Sequence, residues 1–156
     1  MTGKANGSST KLNSEFTEEE GKDLSLDLIN RIRHCQVGTN GEDGFPNIKT
    51  MSNRKHEGLK RIWFKTETSS RKVQQLRRDN SACVYLLDSK AARGLMLLGH
   101  MEILQDVKSK QLIWTENDNK YNPLGVEDPE ISVLCFTAKR GNFVDAMQNK
   151  GLTFEL

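Results

Sequence analysis

A short run of hydroxyl and cationic side chains near the middle of the chain has the residue types that bind phosphate. Ser70, Arg71 and Lys72 stand at the start of residues 70–78, whose pattern predicts a basic helix. The first turn of a helix presents unpaired backbone N–H groups and the positive end of the helix dipole, and both favour a bound anion. Arg71 and Lys72 would add full charges there, and an arginine can bind phosphate through two parallel hydrogen bonds. The sequence therefore predicts a phosphate-bearing ligand at this helix start.

Positive charge is concentrated around this run, although the chain as a whole is almost neutral. The formal net charge of the 156 residues is +2, whereas residues 49–78 contain ten Lys and Arg side chains against two Glu. Such a local excess suits an anionic ligand, and a basic surface that faces only solvent is the alternative. A barrel that binds single-stranded nucleic acid would need aromatic side chains along the basic face. Because aromatic residues make up only 6% of the chain, we expect no nucleic-acid partner.

Two predicted strands before the helix would position the ligand. Residues 40–44 have the Asn, Asp and Gly composition of a hairpin turn, and they lead into a strand that ends near residue 51. Residues 60–66 form a second strand with a basic start, and the helix at 70–78 follows it directly. We expect the phosphate-bearing ligand to lie across these two strands and the helix.

The remaining hydrophobic pattern predicts a mainly β domain. A helix over residues 17–33 begins with a capping box formed by Thr17 and Glu20, and a second helix covers 109–115. Hairpin-linked strands predominate, which predicts an α+β, mainly β fold: a six-stranded antiparallel barrel with flanking helices. A sandwich is the competing architecture. The predicted strands cover residues 35–40, 43–51, 60–66, 82–87, 95–104 and 131–136, with a last short strand or edge extension at 141–146.

Composition and cysteine spacing also predict the domain boundary and the compartment. Residues 1–16, rich in small and polar residues, are expected to be a flexible N-terminal tail, and residues 17–156 a single domain. The three cysteines are far apart and form no CxxC pair, and no signal peptide precedes them, which predicts a reduced, cytoplasmic protein. The apolar runs are too short to span a bilayer, so we expect no membrane partner. The three histidines have no carboxylate or cysteine at ligand spacing, so no metal is expected.

Six short motifs follow one another along the chain: Asp43-Gly44-x-Pro46, Lys49-x-Met51, Ile62-Trp63-Phe64-x-Thr66, Ser70-Arg71-Lys72, Leu98-Gly99-x-x-Glu102 and Asn122-Pro123-Leu124-Gly125. In these motifs the chain resembles the pyridoxamine-phosphate-oxidase-like flavoproteins, and within them the bacterial general stress protein branch. The resemblance covers roughly residues 24–146. It implies a split β-barrel that dimerises and holds FMN at the subunit interface, so that residues 17–156 would form an FMN-binding domain.

The resemblance also implies roles for individual residues. Lys49 stands where the family has a cation near the flavin phosphate and ribityl chain, and the next two residues would line the isoalloxazine. Lys65 and the threonine after it match the strand end that touches the flavin, and the Ser-Arg-Lys run contains the phosphate-binding pair. The implied cofactor-binding residues are therefore Lys49, Thr50, Met51, Lys65, Thr66, Ser70, Arg71 and Lys72.

Departures from the family pattern bear on the reaction. Gly94 replaces a flavin-contacting Gln, Arg54 replaces a substrate-binding Lys, and residues 140–142 read Arg-Gly-Asn where the oxidase has Arg-x-His. A site that loses the partners of a substrate's polar groups loses selectivity for it, so vitamin B6 oxidation is not expected. The resemblance leaves two functions open: flavin-dependent oxidoreductase chemistry on an unidentified small molecule, or a non-catalytic, stress-related flavin-binding or sensor module. FMN is the expected cofactor, FAD and a deazaflavin stay open, and no catalytic residue is indicated.

Overall fold

The computed structural model describes residues 14–156, which form nine strands and three α-helices. The helices are α1 (Glu18–Arg31), α2 (Arg71–Arg78) and α3 (Val107–Ile113), and two 3₁₀ turns cover Glu116–Lys120 and Gly125–Glu127. The strands are β1 (Ser14–Glu15), β2 (His34–Asn40), β3 (Pro46–Ser52), β4 (Lys55–Glu57), β5 (Arg61–Glu67), β6 (Ser81–Asp88), β7 (Arg93–Leu104), β8 (Ile131–Asp145) and β9 (Lys150–Glu155).

The strands form one curled sheet that is split between β3 and β5. Along the main path the order is β1-β9-β8-β7-β6-β2-β3, and every pair is antiparallel except β1 with β9. The long strand β8 pairs with β7 along one edge; along its other edge it pairs first with β5 and then with β9. Parts of β3 and β5 come within 8 Å of each other between Cα atoms, but these two strands share no hydrogen-bonded ladder. The predicted α+β, mainly β split-barrel class is confirmed.

The strand count differs from the six that the sequence predicts. Residues 141–146 are not a separate strand, because residues 141–145 are the second half of β8. Gly141 reads as a break in the sequence, yet it lies inside the strand under the ring of Phe154, where an added Cβ would overlap that ring. Gly141 thus marks a close approach between chain segments rather than a turn. The pattern also gives no strand at β1, β4 or β9, which add to the sheet.

The core fills the inside of the curled sheet and is closed at one side by α1. Thr17 and Glu20 form the predicted capping box, and Leu28 and Ile29 on this helix are buried. The described fold begins at Ser14, inside the segment 1–16 that the sequence predicts as a tail, and Phe16 is buried against the barrel. Residues 1–13 of the predicted tail lie outside the described residues. None of the helices within residues 14–156 has the length and apolar character that crossing a membrane requires.

The β-bulge between Leu98 and Gly99 gives a test of the packing of the sheet. An added Cβ at Gly99 would overlap the carbonyl oxygen of Thr137 on β8, a backbone atom that cannot move aside cheaply. We therefore expect Gly99→Ala to lower the free energy of unfolding by about 1–3 kcal/mol, measured by urea denaturation. Gly21→Ala in α1 is the control, because the three atoms nearest to its Cβ all belong to the side chain of Leu152 rather than to the backbone. Equal stability of the two variants would contradict this account of the bulge.

Candidate functional site

A cavity of about 330 Å³ lies at the split between β3 and β5, which is where the implied cofactor residues converge. Six of the eight residues that the resemblance implies line it, and Ser70 and Arg71 do not. The volume is at the lower end of the range for small-molecule pockets. The lining residues are Lys49, Thr50, Met51, Ser52, Arg54, Lys65, Thr66 and Lys72.

A tight turn between β5 and α2 places Lys72 in the cavity. The backbone N–H of Ser70 donates to the carbonyl oxygen of Glu67 at 3.1 Å, so that α2 begins directly beside the end of β5. Lys72, in the first turn of this helix, then reaches back and donates from Nζ to Oγ1 of Thr66 at 2.9 Å. Ser70 Oγ is 3.4 Å from the same threonine oxygen. The strand-turn-helix order that the sequence predicts therefore joins the end of β5 to the start of α2 at one place.

The ammonium group of Lys72 is partly buried and forms no ion pair with a residue in the range 14–156, although the carboxylate of Glu67 is near enough to act on its pKa. Burial lowers the pKa of Lys72, and the positive charge of Lys49 lowers it further, while the carboxylate of Glu67 opposes the shift. A lysine whose pKa is lowered by burial and by a like charge is stabilised in its charged form when an anion binds nearby. The Lys49 and Lys72 side of the cavity thus has the electrostatics of a phosphate site.

Arg71, the other member of the predicted pair, lines a different surface. It faces a groove of about 720 Å³ between the turn that links β2 to β3 and helix α2. This groove is larger than the cavity at the split, but its lining carries both signs of charge, with Glu42 and Asp43 opposite Arg71 and Arg78. The smaller cavity is the better candidate because it collects the implied residues and a cationic lining.

The predicted anion site at the start of α2 is also partly occupied by the protein itself. The carboxylate of Glu130 accepts hydrogen bonds from the backbone N–H of Ser69, at 3.0 Å, and from the Ser69 hydroxyl. These two bonds lower the pKa of Glu130. A phosphate at this corner would therefore depend on Lys72 rather than on the N–H of Ser69. Glu130 is 61 residues away from Ser69 in the sequence, and no local motif connects the two.

Asp118, which no sequence pattern above indicates, is a buried residue that contacts two cations of the cavity. Its carboxylate accepts from Lys65 Nζ at 2.6 Å and from Arg54 Nη2. The backbone N–H and the hydroxyl of Thr115 both donate to the same carboxylate at 2.8 Å. None of the helices and strands predicted from the sequence covers residues 117–129, but Thr115 and Asp118 have the spacing of a capping box, which is the signal that could have indicated this turn.

Asp118 gives a stability test with a defined pH range. Burial alone would raise the pKa of Asp118, but the hydrogen bonds from Lys65 and Thr115 and the charge of Arg54 outweigh it and bring the pKa from 3.8 to about 2. A depressed carboxyl pKa stabilises the fold above pH 3.8, and that contribution is lost as the pH falls towards 2. We expect Asp118→Asn to lower the free energy of unfolding at pH 7 by roughly 2 kcal/mol.

Urea denaturation across pH 7 to 2 measures this effect. The difference in stability between the wild type and Asp118→Asn should shrink below pH 4, because the wild-type carboxylate becomes protonated there. Glu116→Gln is the control, since Glu116 is exposed on the same 3₁₀ turn. A gap between wild type and Asp118→Asn that stays constant down to pH 2 would show that the charge of Asp118 is not what stabilises the turn.

Known structures share this fold. A Clostridium acetobutylicum protein, described as related to general stress protein 26 of B. subtilis and of the pyridoxinephosphate oxidase family, is 43% identical; the match covers 90% of this chain and 97% of that one, with a TM-score of 0.80. General stress protein 26 from Bacillus anthracis is 20% identical over 86% of this chain and 98% of its own, with a TM-score of 0.71. A protein described as an F420 reductase is 18% identical; the match covers 74% of this chain and 93% of that one, with a TM-score of 0.59. The last two likenesses show the fold alone.

The family comparison covers almost the whole described chain. The model of the family described as pyridoxamine 5'-phosphate oxidase like matches residues 20–155. A comparison with curated protein sequences finds no match. The split barrel, the cavity between β3 and β5 and the match over residues 20–155 lead to one conclusion: the chain belongs to the pyridoxamine 5'-phosphate oxidase-like family, in its general stress protein branch.

Proposed function

We propose that this protein binds FMN in the cavity at the split, with the flavin phosphate near Lys49 and Lys72. The observation that carries the proposal is the partly buried ammonium of Lys72, which donates to Thr66 and has another cation, Lys49, beside it. A phosphate dianion could pair with both ammonium groups, neither of which forms an ion pair with a residue in the range 14–156. The hydroxyls of Thr50 and Thr66 add neutral hydrogen-bonding groups for the ribityl chain.

The other implied residues differ in how close they lie to the cavity. Met51 and Lys65 line the same cavity and would contact the isoalloxazine, whereas Ser70 lies at its edge through its contact with Thr66. Arg71 would reach the cofactor only from the neighbouring groove. FMN is the proposed cofactor, and FAD or a deazaflavin are the alternatives. The F420 reductase among the structural neighbours is the reason to include the deazaflavin.

The proposed activity is flavin-dependent oxidoreductase chemistry on an unidentified small molecule. A bound flavin supplies the electron transfer, and the protein supplies position and electrostatics. A non-catalytic, stress-related flavin-binding or sensor module is the second candidate, and it is favoured by Arg54. This arginine replaces the family's substrate lysine and is already bonded to Asp118. Bound flavin that no nicotinamide donor reduces would favour the second candidate.

We also propose that two copies of the chain cover the cavity as a homodimer in the cytoplasm. Large apolar side chains are exposed on both flanks of the split: Phe45 and Ile48 at 71% and 65% on the β3 side, and Tyr121 and Leu124 at 75% and 68% beyond Asp118. Apolar side chains exposed in this number around a cavity are typical of an interaction surface. The three cysteines are all free thiols, which suits a reducing compartment.

The FMN proposal is tested by reconstitution and by one charge substitution. Purified protein mixed with FMN and desalted should keep a flavin visible absorption band. Lys72→Gln should weaken FMN binding at least about tenfold and riboflavin binding by less than about twofold, because only FMN carries the phosphate. Fluorescence titration measures both affinities.

Arg77→Gln is the matched control for Lys72→Gln, because Arg77 is exposed on the same helix and lines neither the cavity nor the groove beside it. Arg71→Gln shows whether the neighbouring groove takes part. Protein that stays colourless after reconstitution would rule out FMN binding. Equal weakening of FMN and riboflavin by Lys72→Gln would instead show that the phosphate lies elsewhere.

The dimer has a separate test. Ile48→Glu places a charge on the exposed face of β3 and should convert the dimer to a monomer, because a buried unpaired carboxylate opposes association. Size-exclusion chromatography with light scattering measures the mass. Met147→Glu, at a side chain that is 76% exposed in the turn between β8 and β9, is the control and should remain dimeric. A wild-type protein that is monomeric at all concentrations would overturn the proposal.

A further inference from the structure

The two ends of the cavity differ in how their cations are satisfied. At one end, Arg54 and Lys65 both form ion pairs with Asp118, and their side chains are only 13% and 19% exposed. At the other end, Lys49 and Lys72 form no ion pair with any residue in the range 14–156. Both ends of the cavity therefore carry positive charge, but only the cations of the Arg54 end are already ion-paired.

The contacts around Arg54 and Lys65 take up Nη2 of Arg54 and two of the three N–H groups of Lys65. Besides Asp118, Nη2 of Arg54 donates to the carbonyl oxygen of Ile113 at 3.2 Å and faces the hydroxyl of Thr115 at 3.4 Å. Lys65 Nζ also donates to Oδ1 of Asn122 at 2.9 Å and lies 5.3 Å from the centre of the Trp114 ring. Each cation is thus held by several groups of one segment, the residues that follow α3.

The carboxylate of Asp118 is fixed in this position by its own segment. Thr115 donates two hydrogen bonds to it across the 3₁₀ turn. Further along, Lys110 on α3 donates from Nζ to the carbonyl oxygen of Asp128 at 2.7 Å, which ties the end of the segment to the helix. Because both ends of the segment are bonded, Asp118 is held against Arg54 and Lys65, which line the cavity, although it does not line the cavity itself.

From these contacts we propose that Asp118 is a specificity-determining residue, which disfavours phosphate and carboxylate groups at the Arg54 end of the cavity. An anion at this end would compete with the carboxylate of Asp118 for Arg54 and Lys65. Like charges placed close together disfavour the wrong ligand. The inference rests on the proposed function for the identity of the site, and it defines the substrate class.

Inorganic phosphate, titrated calorimetrically into flavin-free protein, is a direct probe of this inference. Asp118→Asn should bind phosphate at least about tenfold more tightly than the wild type, or bind a second equivalent, because Arg54 and Lys65 become available. Glu116→Gln removes the same charge from the exposed side of the same turn and should leave phosphate binding unchanged. A folded Asp118→Asn variant that gains no phosphate binding would overturn the proposal.

Substitution of Arg54 tests the same idea from the other side of the ion pair. The double variant Asp118→Asn with Arg54→Gln should lose the gained phosphate binding, whereas a merely structural effect of Asp118 would leave the gain in place. Arg54→Gln alone should change phosphate binding by less than about twofold, because Asp118 already occupies Arg54 in the wild type. If Arg54→Gln weakens phosphate binding as much as Lys72→Gln does, Arg54 already binds anions and the proposal fails.

The phosphate experiment separates this inference from the proposed function. A protein that never binds FMN can still show the gain of phosphate binding in Asp118→Asn, and that result would support the role of Asp118 alone. A protein that binds FMN but shows no gain keeps its cofactor and loses the inferred specificity. Circular dichroism shows whether Asp118→Asn folds. If it does not, phosphate binding by the single variant Arg54→Gln still tests the proposal.

Discussion

The missing hydrogen-bond ladder between β3 and β5 is the constraint on which the rest of the site depends. A barrel closed at this point would pair the two strands and fill the space between them with side chains. In the described chain, β3 pairs only with β2, and β5 pairs only with β4 and β8, so a cavity remains between strands that are individually well held. The length of β8 makes this possible, because its first half holds β5 and its second half holds β9. The cavity is thus a consequence of topology.

The site is built from two kinds of residue that differ in how far apart they are in the sequence. Lys49, Lys65 and Lys72 come from neighbouring elements within a short stretch. Residue type at a helix start predicts Lys72, and the resemblance to the family implies Lys49 and Lys65. Asp118 and Glu130 come from the long connection before β8 and reach the same region only through the fold. An ion pair or a hydrogen bond between distant residues leaves no periodic pattern in the sequence. The charges that balance the site were therefore the part that sequence reasoning could not supply.

The same division applies to the fold. The start of α1 was predictable because a capping box is a local pattern, and the structure confirms it with both reciprocal hydrogen bonds at Thr17 and Glu20. The continuity of β8 through Gly141 was not, because only the packing of Phe154 over the glycine shows why the chain needs no side chain there. The pair Arg71 and Lys72 was predicted only in part. Its position at a helix start was correctly predicted, but adjacent residues on a helix point in different directions, and here they line different surfaces.

The environment of Lys72 has a consequence for how any anionic ligand is held. Burial and a neighbouring cation lower the pKa of Lys72, and a bound dianion would raise it again. Anion binding and protonation of this one side chain are therefore coupled, because each raises the affinity for the other.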